Sequence, residues 1–153
     1  MALDVLFCLV VAVADGDTLT ARCGEPGAYE QVKVRISGID APEKAQAFGQ
    51  RSKQALSDLC FRETATIRPT TRDKYGRTVA DVECQGQDVS MAQVKTGMAW
   101  VFDRYSEGYE HLYPLQDRAK GARVGLWSDA SPVPPWDWRQ QKRSTSRHVG
   151  SSP

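Results

Sequence analysis

The sequence has few of the residues that hold transition metals. Of its 153 residues only two are histidines, His111 and His148, and neither lies at ligand spacing from another soft donor. Its four cysteines include no CxxC pair, which argues against a zinc ribbon and against a dithiol redox motif. We therefore do not expect a zinc site in this chain.

The chain also lacks a hydrophobic run long enough to span a bilayer. The opening stretch MALDVLFCLVVAVA is too short for a transmembrane helix. It has Asp4 near its start and no basic residue before the apolar run, unlike a signal peptide. A β-branched run that leads directly into Asp15 and Gly16 is more typical of a first strand. We expect no membrane association and, if the protein is exported, a leader that is absent from this chain.

Acidic residues slightly outnumber basic ones over most of the chain. Residues 1–138 contain sixteen Lys and Arg against all nineteen Asp and Glu, a net charge of −3, while the last fifteen residues carry four basic residues and no acidic one. Since 153 residues suffice for one core, we expect a single monomeric domain at 1–138. The tail at 139–153 has almost nothing to bury, so we expect it to be disordered. It would add either solubility or nonspecific attraction to a polyanion.

The four cysteines allow two interpretations. A two-residue turn at 15–16 places Cys8 directly opposite Cys23 across a hairpin, at a Cα separation of about 4.5 to 5.5 Å that suits a disulfide. Cys60 would then pair with Cys84 by elimination. Two disulfides would indicate a secreted or periplasmic protein. The alternative is four buried thiols in a cytosolic protein.

The spacing of apolar residues predicts a small mixed domain. The Asp15-Gly16 pair predicts a hairpin with a type I′ turn, and Ser90 and Gly97 are expected to begin and end a short helix. The expected strands are at 5–14, 17–23, 31–39, 64–69 and 77–84. The expected helices are at 46–61, 88–97 and 107–123. Five short strands with interspersed helices indicate an α+β domain, mainly β, on a closed or nearly closed barrel.

Three charged clusters interrupt this pattern: DGDT at 15–18, RISGIDAPE at 35–43 and RDKYGR at 72–77. Each alone has a structural interpretation, as a hairpin turn, a strand that ends at Pro42 and a polar turn around Gly76. Together they supply the parts of phosphodiester chemistry. Two aspartates and a backbone carbonyl offer hard oxygen ligands to a calcium-like cation, a glutamate accepts a proton from an attacking water, and two arginines neutralise charge that grows on phosphorus. The predicted metal ligands are Asp17, Asp40 and Ala41, and the predicted catalytic residues are Arg35, Glu43 and Arg77.

These motifs, in this order, are similar to those of the thermonuclease family, the class of staphylococcal nuclease. The similarity runs from about residue 8 to Trp127, and no residue of the catalytic set is missing. The resemblance implies an OB-fold, a five-stranded barrel with three helices. It also implies calcium-dependent hydrolysis of DNA and RNA between phosphorus and the 5′ oxygen, which leaves 3′-phosphate ends.

The resemblance assigns the same roles to the six residues named above and adds three contacts to the nucleic acid. These substrate-binding residues are Lys74, Tyr75 and Tyr105. The chain departs from the family at Ala41, where threonine is frequent, but a main-chain ligand tolerates alanine. It departs again at Glu83, where an aromatic residue is usual, and this position lies outside the charged centre.

Two other functions use parts of the same pattern. A noncatalytic OB-fold module would bind nucleic acid through its strand face and basic tail, although the net charge of −3 on residues 1–138 counts against it. A calcium-stabilised structural domain would use the two aspartates but leave Arg35, Arg77 and Glu43 without a role. We therefore predict a secreted or periplasmic, calcium-dependent and sugar-nonspecific endonuclease.

Overall fold

A computed structural model of the protein describes residues 4–150, with side chains described through residue 145. Within these residues, eight strands and four helices follow one another. The strands are β1 (Leu6–Asp15), β2 (Thr18–Cys23), β3 (Glu30–Ile36), β4 (Ile39–Asp40), β5 (Thr64–Arg72), β6 (Thr78–Cys84), β7 (Gln87–Asp88) and β8 (Trp100–Val101). The helices are α1 (Gly49–Cys60), α2 (Val89–Lys95), α3 (Leu112–Ala122) and α4 (Pro135–Gly150), with 3₁₀ turns at Asp103–Tyr105 and Gly125–Ser128.

Five strands close into a barrel in the order β3-β2-β1-β5-β6, and β7 adds to β6 on the outside. Neighbouring strands are antiparallel except β3 and β6, which pair in parallel with Val34 opposite Thr78 and Ile36 opposite Ala80. That pairing closes the sheet, so the five strands leave few edge groups unpaired. The predicted α+β class and the OB-like five-stranded barrel are confirmed, with a fourth helix beyond the three expected.

The core fills the barrel and the space beneath helices α1 and α2. Alternate residues of each strand point inward because successive side chains of a strand face opposite ways. Burying each of these aliphatic side chains contributes about 1.5 to 3 kcal/mol. The fully buried large side chains include Val10, Leu19, Val34, Ile67, Leu56, Val89 and Val94.

Both predicted cysteine pairs are joined. Cys8 and Cys23 link β1 to β2 with a Cα separation of 4.6 Å, and Cys60 and Cys84 link the end of α1 to β6 with a separation of 5.4 Å. The structure describes no free cysteine among residues 4–150. The disulfides therefore connect two barrel strands to each other and a helix to the barrel.

The β1–β2 hairpin differs from the prediction at its turn. Asp15 pairs with Thr18, so the turn residues are Gly16 and Asp17, and neither has the positive φ that a type I′ turn requires. The predicted turn type is therefore wrong. Two register shifts along β1 compensate for the displaced turn. At Leu9, which lies opposite Arg22, the two strands have the predicted alignment, so Cys8 and Cys23 still face each other.

Helix α2 begins earlier than predicted. Asp88, not Ser90, is its N-cap, because the Asp88 side chain accepts a hydrogen bond of 2.9 Å from the Met91 amide. Ser90 is buried and donates its hydroxyl to the Ser37 carbonyl oxygen at 2.7 Å. Gly97 ends this region at a φ of 69°, as predicted.

Helix α4 covers residues that the sequence predicted to be disordered. Pro135 stands at its first position, where a proline costs no hydrogen bond. The Trp136 ring is stacked on Phe102 and meets Trp100 edge-on. These aromatic contacts hold the first turn of α4 on the barrel. Residues 139–150 extend the helix from this packed first turn. Residues 151–153 lie outside the described residues. None of the helices in the described part of the chain is both long and apolar enough to cross a membrane.

Candidate active site

Three carboxylates meet at one end of the barrel. Asp17 lies in the β1–β2 turn, Asp40 on β4, and Glu43 in the loop that leads to α1. Asp17 joins the first two segments, because its Oδ2 accepts a 2.7 Å hydrogen bond from the Ala41 amide and its Oδ1 accepts one of 2.8 Å from the Thr18 hydroxyl. Asp17 and Asp40 are both buried, at 6% and 1% exposure. The strands thus hold two acids of distant sequence position in fixed orientation.

Arg35 lies between the two aspartates. It projects from β3, and its Nη2 is 3.4 Å from Asp17 Oδ2 and 3.5 Å from Asp40 Oδ1. Its Nη1 donates to the Ile36 carbonyl oxygen at 2.9 Å. These contacts place one guanidinium beside both predicted carboxylate ligands of the metal.

A second guanidinium belongs to a residue that the sequence prediction missed. Arg139 of α4 donates to both oxygens of Asp40, at 3.1 and 2.6 Å, and to Glu43 Oε1 at 2.7 Å. It was assigned to a disordered tail because its neighbours after residue 138 are polar. The signal that would have found it is Pro135 followed by two tryptophans, which is typical of an anchored helix start.

The electrostatics of the site are dominated by buried negative charge. The pKa of Asp40 is raised to about 6. Burial is the largest cause, and the nearby charge of Asp17 also raises the pKa, whereas Arg139 and Arg35 lower it. The pKa of Asp15 is also raised, first by burial and then by Asp17 and Glu43. Among the described residues, four carboxylates thus share this end of the barrel, and two arginines, Arg35 and Arg139, pair with three of them. A site with this excess of negative charge favours a divalent cation.

The donor set fits a hard cation that keeps water ligands. Asp17 and Asp40 offer carboxylate oxygens, and the adjoining Ala41 carbonyl offers another oxygen of the kind that Ca²⁺ and Mg²⁺ take. Within the part of the chain that the structure describes, no group of three or more His, Cys, Asp or Glu side chains is placed to hold a metal ion. A cation held here would therefore keep several water molecules, which also leaves positions for a substrate oxygen.

Arg77 does not contact these carboxylates. Its Nε donates to Asp73 Oδ2 at 2.7 Å within the β5–β6 turn, and among the described residues it forms no ion pair with the site acids. It precedes β6, which pairs with β3 so that Val79 lies opposite Arg35. Arg77 thus lies two residues before the strand neighbour of Arg35, and its Nε is paired with Asp73.

The predicted substrate contacts lie on exposed surface. Tyr75 is 71% exposed, and the cationic ends of Lys74 and Arg77 lie 5.2 and 5.5 Å from its ring centre. Tyr105 is 59% exposed and meets Phe102 edge-on at 5.0 Å. Both tyrosines therefore offer open aromatic faces, one in the β5–β6 turn and one after β8. Phe102 itself, 5.9 Å from the Arg35 guanidinium, was not singled out from the sequence.

A barrel whose end joins carboxylates, guanidinium groups and open aromatic faces has the arrangement of a phosphodiesterase that acts on nucleic acid. Comparison with known proteins gives the same class. The sequence profile of the family described as "Staphylococcal nuclease homologue" matches residues 33–129. The chain therefore belongs to the staphylococcal nuclease family, and its enzymatic class is that of a nuclease.

Individual relatives extend the similarity to the N-terminal hairpin. An "Uncharacterized endonuclease" of Haemophilus influenzae is 43% identical over 136 residues, which cover 89% of this chain and 74% of that protein. The "Protein ParB" of Escherichia coli is 37% identical over 145 residues, 88% of this chain and 80% of that protein. The "Micrococcal nuclease" of Shigella flexneri is 33% identical over 147 residues, 90% of this chain and 82% of that protein.

Proposed function

We propose that this nuclease is calcium-dependent and sugar-nonspecific, and that it hydrolyses DNA and RNA internally to leave 3′-phosphate ends. The observation that carries the proposal is the cluster of acids and arginines at one barrel end. Arg35 contacts the buried Asp17 and Asp40, and Arg139 links Asp40 to Glu43. The names of two relatives, an endonuclease and a micrococcal nuclease, support the same reaction.

Asp17 and Asp40 would hold the cation, with the Ala41 carbonyl as a further ligand. When bound, the cation supplies positive charge that attracts and polarises a phosphoryl oxygen. Asp17 is held for this role by the Ala41 amide and the Thr18 hydroxyl, which occupy one acceptor site on each of its oxygens and leave others free. The burial of both acids lowers the local dielectric constant and so strengthens their interaction with a cation.

Glu43 would accept the proton of the attacking water. Its side chain is 31% exposed, so water reaches it, and one carboxylate oxygen is held by Arg139. Arg35 would neutralise the charge that develops on the phosphate, since it already lies 3.4 to 3.5 Å from both aspartates. Arg77 would add a second guanidinium after exchanging Asp73 for a phosphate oxygen.

Lys74, Tyr75 and Tyr105 would contact the nucleic acid beyond the scissile bond. Stacking of a base on an exposed aromatic ring contributes about 1 to 3 kcal/mol and tolerates any base. Such contacts explain how one site would accept both DNA and RNA. They bind through ring faces and phosphate charge rather than through groups that recognise the sugar.

The decisive experiment incubates the purified protein with single- and double-stranded DNA and with RNA, in Ca²⁺ or in EGTA. We expect cleavage only with Ca²⁺, fragments that polynucleotide kinase labels without phosphatase treatment at the 5′ end, and 3′ ends that accept no nucleotide until the phosphate is removed. Glu43→Gln is expected to lose at least about 10²-fold in rate, and the exposed Glu63→Gln serves as its control. Intact substrate in Ca²⁺, or equal cleavage in EGTA, would contradict the proposal.

We further propose that the protein works as a monomer in an oxidising compartment, secreted or periplasmic. Two disulfides support this, because such bonds persist outside the cytoplasm. Thiol titration under denaturing conditions is expected to find no reactive thiol in protein purified from its native source. Four reactive thiols would refute the location, and a dimeric mass by light scattering would refute the monomer.

A further inference from the structure

Helix α4 brings a second arginine, besides Arg35, to the carboxylates of the candidate active site. Arg139 makes three hydrogen bonds of 2.6 to 3.1 Å to Asp40 and Glu43, whereas Arg35 approaches Asp40 only to 3.5 Å. The Arg139 side chain remains 31% exposed, so its guanidinium faces both the acids and the solvent. A phosphate that approaches Asp40 and Glu43 from this exposed side would therefore come within reach of Arg139.

The position of Arg139 does not depend on its ion pairs alone. Trp136, three residues earlier on the same helix face, is stacked on Phe102 with ring centres 5.5 Å apart and planes inclined by 2°. Just before the helix, Gln46 donates to the Val133 carbonyl oxygen at 2.7 Å. These contacts hold the first turn of α4 on the barrel, so Arg139 stays beside the site even when a carboxylate releases it.

The charges of the site favour an exchange of partners. Arg139 bonds both oxygens of Asp40, and those are the oxygens that would ligate a cation. Asp40 holds the guanidinium less strongly once its charge is shared with a cation. A phosphate offers two oxygens to the planar guanidinium group of Arg139, in the bidentate geometry that guanidinium groups bind best.

We propose that Arg139 is a substrate-binding residue that exchanges its carboxylate partners for a phosphate of the nucleic acid when the site holds its cation. This inference rests on the proposed function. It adds to the arginines at positions 35 and 77 a third one, contributed by the C-terminal helix rather than by the barrel.

The test measures binding of a fluorescent single-stranded oligonucleotide in Ca²⁺ over a range of salt concentrations, in a Glu43→Gln background that slows hydrolysis at least about 10²-fold. Adding Arg139→Gln is expected to weaken binding at least about tenfold, as for the loss of a charged hydrogen bond. The slope of log affinity against log salt should fall by about 0.7, the value for one phosphate contact on a single strand. Arg143→Gln, an equal charge change at an exposed position of α4, is expected to bind within about twofold of the background.

The Arg139→Lys variant distinguishes the contribution of the bidentate guanidinium geometry from that of the positive charge. It keeps a cation on the helix but loses the paired donors, so we expect it to restore the salt slope and only part of the affinity. Thermal unfolding of each variant confirms that the barrel is intact. Binding by the Arg139→Gln variant that equals or exceeds the background would overturn the inference, since it would mean that Arg139 makes no substrate contact or shields the site.

The two proposals fail in different ways. Hydrolysis by the protein with Glu43 intact decides the proposed function, and it needs no Arg139 variant. If that protein cleaves while Arg139→Gln leaves oligonucleotide affinity and salt slope unchanged, only the role of Arg139 is refuted.

Discussion

Gly16→Ala perturbs the candidate site through the fold, without removing any of its charged groups. Gly16 lies in the turn between β1 and β2, directly before Asp17. A Cβ added at Gly16 would collide with Ser52 Oγ of helix α1 and lie 2.9 Å from Ser52 Cβ and 3.0 Å from Ala41 Cβ. The turn, the helix and a predicted metal ligand therefore meet where only a hydrogen atom fits.

The turn cannot move away freely. Its Gly16 carbonyl oxygen accepts a buried 2.8 Å hydrogen bond from Gln93, which also donates to the Ser52 carbonyl oxygen at 3.2 Å. Inserting a methyl group into such a packed region costs about 1 to 3 kcal/mol of unfolding free energy. For a chain of this length that corresponds to a fall in Tm of roughly 2 to 12 °C. A displacement of Asp17 by about 1 Å would also lower the cleavage rate about 10²-fold.

Urea unfolding and a DNA-hydrolysis assay in Ca²⁺ measure the two effects separately. Gly121→Ala is the matched control, since an added Cβ there meets no atom within 4 Å. In a double-mutant cycle, Ser52→Gly removes both colliding atoms of the serine side chain, so the cost of Gly16→Ala should shrink in that background. If Gly16→Ala is as stable and as active as the Gly121→Ala control, the reasoning from close packing is refuted.

Three further predictions test other parts of the structure. Arg77→Ala should lose at least about 10²-fold in cleavage rate and stay folded, with Arg68→Ala as the exposed control; equal rates would remove Arg77 from the mechanism. The pKa of Asp40 is raised to about 6 in the folded protein, so the folded state binds a proton more tightly than the unfolded state. The free energy of unfolding, measured without the cation, should therefore fall as pH rises from about 4 to 6. Asp40→Asn should flatten that fall in urea titrations across the pH range, and an unchanged profile would contradict it. Replacing Cys60 and Cys84 by alanine opens a loop of sequence separation 24 and should cost about 3.5 kcal/mol in urea unfolding.

The sequence was sufficient for features that depend on neighbouring residues or on short motifs. Alternation of apolar residues predicted the five barrel strands, and the order of DGDT, RISGIDAPE and DKYGR predicted the family. The Cys8–Cys23 pair was found from strand pairing alone, because residues opposite one another in a hairpin have a constant sum of residue numbers. That result survived a wrong turn type because two register shifts in β1 compensated for the displaced turn.

The features that the sequence did not predict depend on contacts between distant segments. The turn moved to Gly16 and Asp17, and the turn there packs against Ser52 of α1, which the local Asp-Gly signal does not contain. The N-cap of α2 moved to Asp88, while Ser90 is buried against Ser37. In both cases the observed residue differs from the predicted one where the segment packs against a distant part of the chain.

The site shows the same division. Residue types and motif order were enough to nominate Asp17, Asp40, Glu43 and Arg35, because phosphodiester chemistry requires hard oxygen ligands, a base and a guanidinium in any fold. Only the tertiary structure brought Arg139 to Asp40 and Glu43 across 99 and 96 residues of sequence. A polar stretch after residue 138 has no apolar pattern of its own, and it becomes an ordered helix because Trp136 stacks on a ring that the barrel places beside the site.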